Sequence, residues 1–125
     1  MNQRGFTLLE LIVVAVILGL LASIAIQRFA NTKERTYVVT MKADLRNLIT
    51  AEVVYSTDSL HYTTIIGSGG LTYQVTTGNT MPSIALTGDG FTAQIGNTNT
   101  PRTCVIFMGS TALAPAVNEG EPACN

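Results

Sequence analysis

From Phe6 to Ile26 the chain is apolar at nearly every position, and Glu10 is the single charged residue in that run. Twenty-one residues of helix rise about 31 Å, close to the ~30 Å hydrocarbon core of a bilayer. The pattern then changes without a break. Residues 28–57 contain neither Gly nor Pro and are amphipathic. At ~100° per residue, Tyr37, Val38, Met41, Leu45, Leu48, Ile49 and Tyr55 fall on one side, with Lys42, Arg46, Asn47 and Thr50 on the other. The aromatic and methionine stripe reads as a packing face, not a ligand site. Together the two halves predict one helix from about Thr7 to Thr57, roughly 75 Å by its rise. Asn31-Thr32-Lys33-Glu34 has the form of a capping box and allows a kink or restart near Asn31. Glu52 projects from the apolar stripe with no evident partner in the chain. It is placed beyond the edge of whatever packs there, with a salt bridge between subunits as the sharper alternative.

Beyond Ser56 the text turns to Thr, Gly, Ser and Asn. Ile66–Gly70 is a loop by composition. Strand-like runs follow at Leu71–Thr77, Ser83–Thr87, Phe91–Gly96 and Thr103–Gly109, with Gly88-Asp89-Gly90 as a tight hairpin turn. Alternation is clearest at Phe91/Ala93/Ile95 and Ile84/Leu86, which would turn one face toward the helix stripe. The fold class is therefore α+β, with a small antiparallel sheet of three or four strands laid on the amphipathic half-helix.

Composition sharpens this division. Charged residues are 12% of the 125, where a soluble domain carries about 25%. The shortage is local: residues 11–27 have no charge at all, and the last 65 residues have only Asp89, Arg102, Glu119 and Glu121. Net charge is −1, and Arg102 is the only Lys or Arg after residue 46, so nucleic acid is not expected as a partner. One histidine, His61, and two cysteines exclude a zinc cluster and make a histidine-based catalytic machine hard to assemble. The glycines at 67, 69 and 70 lack the Lys-Ser/Thr of a phosphate loop. Asp89 and Asn97–Asn99 offer oxygens, but fewer than a calcium ion takes. No catalytic residue, metal or cofactor is expected, and the chain does not read as an enzyme.

Glu10 is the informative exception in the apolar run. Thr7-Leu8-Leu9-Glu10 fits a capping box with Glu10 at its third helical position. Alternatively, the carboxylate pairs with a cation of another chain where water is excluded, and a free amine at Phe6 would supply one. A conventional secretory signal cut at Ser23-Ile24-Ala25 fits less well: the positive region is short, a carboxylate interrupts the run, and the helical pattern continues past the site.

Arg4-Gly5-Phe6-Thr7-Leu8-Leu9-Glu10 followed by an aliphatic run resembles the class III signal of type IV pilins and pseudopilins. The resemblance covers residues 1–30 and is specific in order and spacing. It implies a leader of residues 1–5, cleaved between Gly5 and Phe6 by a prepilin peptidase that also methylates the Phe6 amine. It implies a transmembrane and polymerisation segment at 6–27, an amphipathic half-helix at 28–57, and a sheet domain at 58–125. Glu10 would face the Phe6 amine of a neighbouring subunit in a helical homo-oligomer built by pilus assembly machinery. Arg4 on the leader agrees with the positive-inside rule. Many type IV pilins have a proline where this chain has Gln27. Only the glycine, Gly19, is kept, so helix flexibility near 19–27 is weakly encoded and the subunit helix should be continuous. Outside the cytoplasm, Cys104 and Cys124 should oxidise, and Ser110–Ala123 resembles the disulfide-bounded loop of such pilins.

The reading is a type IV pilus subunit, held in the inner membrane with its C-terminus outside the cytoplasm, then at the cell surface in a filament for motility, adhesion or DNA uptake. The alternative is a major pseudopilin of a type II secretion system; a DNA-binding competence pilin is weaker. Mass spectrometry of the membrane-bound protein should find an N-methylated Phe6 terminus and the mass of a cystine. A terminus at Ile26 would overturn this processing route.

Overall fold

A computed structural model describes residues 5–125. Arg4, placed on the leader by the sequence, lies outside the described residues. The chain forms one helix, α1 (Leu8–Ser59), and four strands: β1 (Ser83–Leu86), β2 (Phe91–Asn97), β3 (Thr100–Met108) and β4 (Ala123–Cys124). Its contacts divide it into two units, Met1–Glu34 and Arg35–Asn125.

In the first unit every described residue up to Lys33 is exposed. Phe6, Leu8, Leu18, Ile26 and Phe29 are all more than half exposed. By length and composition α1 can cross a membrane. Helical assignment passes through Gly19, Gln27 and Asn31 without interruption, so the second capping box starts no new helix. An internal box loses to the i→i−4 ladder wherever the flanking residues keep helical dihedrals.

In the second unit the sheet is antiparallel throughout, in the order β1-β2-β3-β4. Phe91, Ala93 and Ile95 of β2 are buried at alternate positions. They meet Cys104 and Ile106 of β3 and Met41, Leu45 and Leu48 of α1 in one core cluster. Tyr62 closes its end edge-on to Phe91, ring centroids 5.1 Å apart. Gly90 is required at the β1–β2 turn because a Cβ there would strike the Met108 carbonyl. Ile84 packs on this core, but Leu86, expected beside it, is exposed. Leu86 pairs with Phe91 at the hairpin end.

Three elements differ from the sequence reading. Leu71–Thr77 is not a strand; its one ladder contact is an isolated bridge from Leu71 to Ile66. Its polar groups turn to the helix instead, as described below. β3 starts at Thr100, three residues earlier than its pattern suggested, because Asn97 Oδ1 accepts the Asn99 amide at 2.8 Å and tightens the β2–β3 turn. β4 is a two-residue strand with no alternation to reveal it, held by Cys124 opposite Cys104 and Ala123 opposite Val105. Odd positions of β3 also have a use: Val105 and Phe107 bury against Ala116, Leu113 and Ala123 of the segment before β4. The sheet thus carries a second, smaller core on the face away from the helix.

Leu48→Ala, deleting a wholly buried side chain, should cost about 2–5 kcal/mol, whereas exposed Val39→Ala should stay within about 0.5 kcal/mol. Urea unfolding of the detergent-solubilised full chain measures both.

Candidate assembly and processing site

The sequence assigns its functional residues to the start of α1, and the local geometry there is complete. Gly5 has no other group within van der Waals reach of a would-be Cβ, and Phe6 is 84% exposed. Both residues of the Gly5–Phe6 pair are exposed among the described residues. Thr7 is the N-cap: Glu10 donates its amide to Thr7 Oγ1 at 3.3 Å. In return Glu10 Oε2 accepts the Thr7 amide at 2.9 Å and the Thr7 hydroxyl at 2.8 Å. This is the reciprocal capping box, and it relieves amides that α1 leaves unpaired at its N-terminus. It also holds the carboxylate within one turn of Phe6.

Gly19 sits mid-helix with open space around it, and α1 keeps its assignment on both sides. Beyond it, Lys33 Nζ lies 4.8 Å from the centroid of the Phe29 ring, a cation–π contact at the polar end of the apolar run. Cys104 and Cys124 form a disulfide between adjacent strands. It closes a segment of 20 residues, a constraint on the unfolded chain of about 3 kcal/mol in the entropy model.

Two carboxylates of the second unit are buried on the helix stripe: Asp44, which the sequence reading did not single out, and Glu52, which it placed beyond the packed edge. Asp44 is 3% exposed. Its Oδ2 accepts the Thr76 amide at 2.8 Å and Asn79 Nδ2 at 2.6 Å, and its Oδ1 accepts the Thr76 hydroxyl at 2.8 Å. The Asp44 carbonyl accepts the Tyr73 hydroxyl at 2.9 Å. Burial, with the Asp44 charge adding to it, pushes the Tyr73 phenol well above its ordinary value. Asn79 Oδ1 in turn accepts Asn97 Nδ2 at 2.7 Å, linking helix, strap and β2. The missed signal was position: Asp44 lies three residues after Met41 and four before Leu48, on the buried stripe.

Glu52 is fully buried, so it does not lie beyond the packed edge. Its Oε2 accepts the Thr63 amide at 3.1 Å while Oε1 is buried without a hydrogen-bond partner among the described residues. Segment 60–63 folds back over the helix end and covers it. Burial raises the Glu52 carboxyl above its ordinary value, opposed by the Thr63 amide. His61 is exposed, its Nδ1 2.6 Å from the Ser59 carbonyl. Among the described residues, no three His, Cys, Asp or Glu are grouped to hold a metal. Asp89 Oδ2 accepts the Ser110 amide at 2.8 Å, and hydrogen bonding from the Ser110 side chain first, then from its amide, holds the Asp89 carboxyl below the ordinary value.

Comparison with known proteins places the start of α1 in context. Residues 1–26 match the family model of the prokaryotic N-terminal methylation motif. The chain is 42% identical over 63 residues to type II secretion system core protein G of Escherichia coli K12, covering 50% of this chain and 43% of that one. It is 41% identical over 77 residues to core protein G of Dickeya chrysanthemi, covering 61% and 50%. Type IV major pilin protein PilA of Myxococcus xanthus is 38% identical over 61 residues, covering 49% and 28%. The chain spans half or less of the length of these curated relatives. No solved structure matches it. The chain carries the methylation motif, and its long helix packed on a four-stranded antiparallel sheet is a pilin-like architecture.

Because folding raises the affinity of Glu52 for its proton, this carboxyl contributes stability at acid pH that is lost as pH rises from the unfolded to the folded value. Glu52→Gln should flatten that fall. Urea midpoints of both proteins between pH 4 and 7, roughly the range where raised carboxyls titrate, measure it; equal slopes would contradict the assignment.

Proposed function

We propose that the chain is a membrane-anchored, pilin-like structural subunit that is cleaved between Gly5 and Phe6, methylated at Phe6, and assembled into a helical fibre through α1. The observation that carries this is the pairing of the methylation motif at residues 1–26 with an apolar half-helix that its own fold leaves uncovered. In water such a surface costs ~25 cal/mol for each Å² exposed; lipid before assembly and neighbouring helices after it remove that cost. Residues 1–5 act as the leader and residues 6–27 as the anchor and fibre core, leaving the sheet unit outside the cytoplasm. No catalytic role is assigned, and the partners are further copies, the prepilin peptidase and an assembly machinery of the inner membrane.

Two members of this class fit. Named relatives favour a major pseudopilin of a type II secretion system, since core protein G recurs among them. The M. xanthus major pilin favours a type IV pilus subunit, as does the disulfide between Cys104 and Cys124 that bounds the last segment. Relatives weigh more here than a single cross-link, so the pseudopilin reading leads.

Glu10 has a role in each state. In the subunit it caps α1. On assembly the carboxylate, one turn from the cleaved Phe6 amine, can exchange the Thr7 hydroxyl for the amine of a neighbour, which sets axial register in a medium without water.

Glu10→Ala should leave the subunit in the membrane and reduce sheared or sedimented fibre at least about tenfold, as expected for a desolvated charge pair. Unchanged fibre yield would confine Glu10 to capping. Imaging at native expression separates the two members: long surface fibres indicate the pilus, and short fibres confined to the envelope the pseudopilus.

A further inference from the structure

Charge returns abruptly at the far end of the apolar run. Residues 11–27 carry none, and Arg28 and Lys33 are the first charges after Glu10. On the proposed topology they stand outside the cytoplasm. With Arg35, and against Glu34, they outnumber Arg4 of the leader, the reverse of the Lys/Arg bias that usually sets orientation. Cations held against that bias point to an anionic partner at this level.

Lys33 does not reach away from the apolar run. Side chains on a helix tilt toward its N-terminus, and the exposed Lys33 follows that direction: its Nζ lies 4.8 Å from the centroid of the Phe29 ring, about one turn earlier. With Phe6 at the inner boundary, the level of that ring is about 35 Å along the axis. This is past a hydrocarbon core of ~30 Å and inside the headgroup layers that bring a bilayer to ~40–45 Å. The ammonium therefore sits where lipid phosphates lie.

Beside it α1 has a hollow. Ala25, Ile26, Phe29 and Ala30 line an open groove, and Lys33 is the only charged residue on it. The two alanines make the depth and the larger Ile26 and Phe29 the walls. Arg28 is exposed but does not line the groove. Five residues from Lys33, it lies about 140° round the axis. Cations on two sides of one helix suit a surface that surrounds the helix, as a membrane does, better than a protein docked on one side.

We propose that α1 binds an anionic diacyl phospholipid of the outer leaflet, its phosphate on the Lys33 ammonium and one acyl chain along Ala25, Ile26, Phe29 and Ala30. Phe29 serves both parts: its face holds the ammonium and its side walls the chain. A zwitterionic lipid offers the same phosphate, but its own cation competes beside it, so the anionic headgroup is preferred. The site rests on the reading of residues 6–27 as a membrane anchor and names the lipid that this anchor recruits.

The full chain, reconstituted in vesicles of equal phosphatidylethanolamine and phosphatidylglycerol and released for native mass spectrometry, tests it. In the peak with one bound lipid, phosphatidylglycerol should exceed phosphatidylethanolamine about fivefold, the preference expected of one cation at a lipid surface. Lys33→Gln should bring the ratio to about one, while Lys33→Arg and Arg28→Gln should keep it. Ala30→Phe, which fills the groove and leaves the charge, should cut the bound fraction. An equal loss in Arg28→Gln would mark diffuse surface charge and overturn the site, as would an Ala30→Phe chain that binds normally. Phosphate adducts in place of lipid would give the ammonium to a free anion. Lipid-free dimers that Ala30→Phe abolishes would give the groove to a second copy; either result overturns the lipid. Chains that alkaline carbonate strips from the vesicles refute the anchor and the site together. Retained chains with equal lipid populations refute the site and keep the anchor.

Discussion

The exposed apolar half of α1 is the constraint from which the rest of the molecule follows. Its backbone is satisfied internally, but Leu8 to Phe29 have no protein to lie against. A helix of this kind is stable only in lipid or among other apolar helices. This half of the helix therefore needs lipid or other apolar helices around it. Glu10 is tolerable near the helix start because it is spent on the Thr7 cap, where a carboxylate deeper in the bilayer would cost several kcal/mol.

The same helix then has to hold a small domain in water. Its buried stripe is short, with Met41, Leu45 and Leu48 as the wholly buried apolar residues. A core of that size gives a marginal domain, and three devices reinforce it. Asp44 ties the strap at 73–79 to the helix through charged hydrogen bonds, which are stronger than neutral ones. The disulfide fixes β4 to β3. The segment it closes covers Val105 and Phe107, giving the outer sheet face a small core of its own. Glu52 works against these devices, since a buried carboxyl with one unpartnered oxygen costs stability when ionised.

In the proposed assembly, low charge on the sheet unit would limit repulsion between neighbouring copies. Thr, Ser and Asn keep the sheet surface wet without strong mutual repulsion.

Legibility divided along the range of the interactions. Local pattern was enough for the apolar half-helix, for the amphipathic continuation, for the cap at Thr7 and Glu10, and for the hairpin at Gly88–Gly90. Each depends on residues within four positions of one another, so periodicity and spacing carry it. Alternation found β2 and most of β3 for the same reason. Leu71–Thr77 has the same alternation and is no strand, because Thr76 and Tyr73 find their partner in Asp44, about thirty residues away. A two-residue strand such as β4 has no period at all and exists through Cys104 and Val105 opposite it. Glu52 reads in the sequence as a charge without a partner; segment 60–63 supplies its donor, and the strap supplies those of Asp44. The sequence by itself determined which half of the helix is apolar all round and which helix face the sheet unit buries, since both are summed preferences of neighbouring residues. Tertiary structure alone decided which polar groups are buried and what satisfies them, because a hydrogen bond needs a particular partner at ~2.9 Å and no local pattern names it.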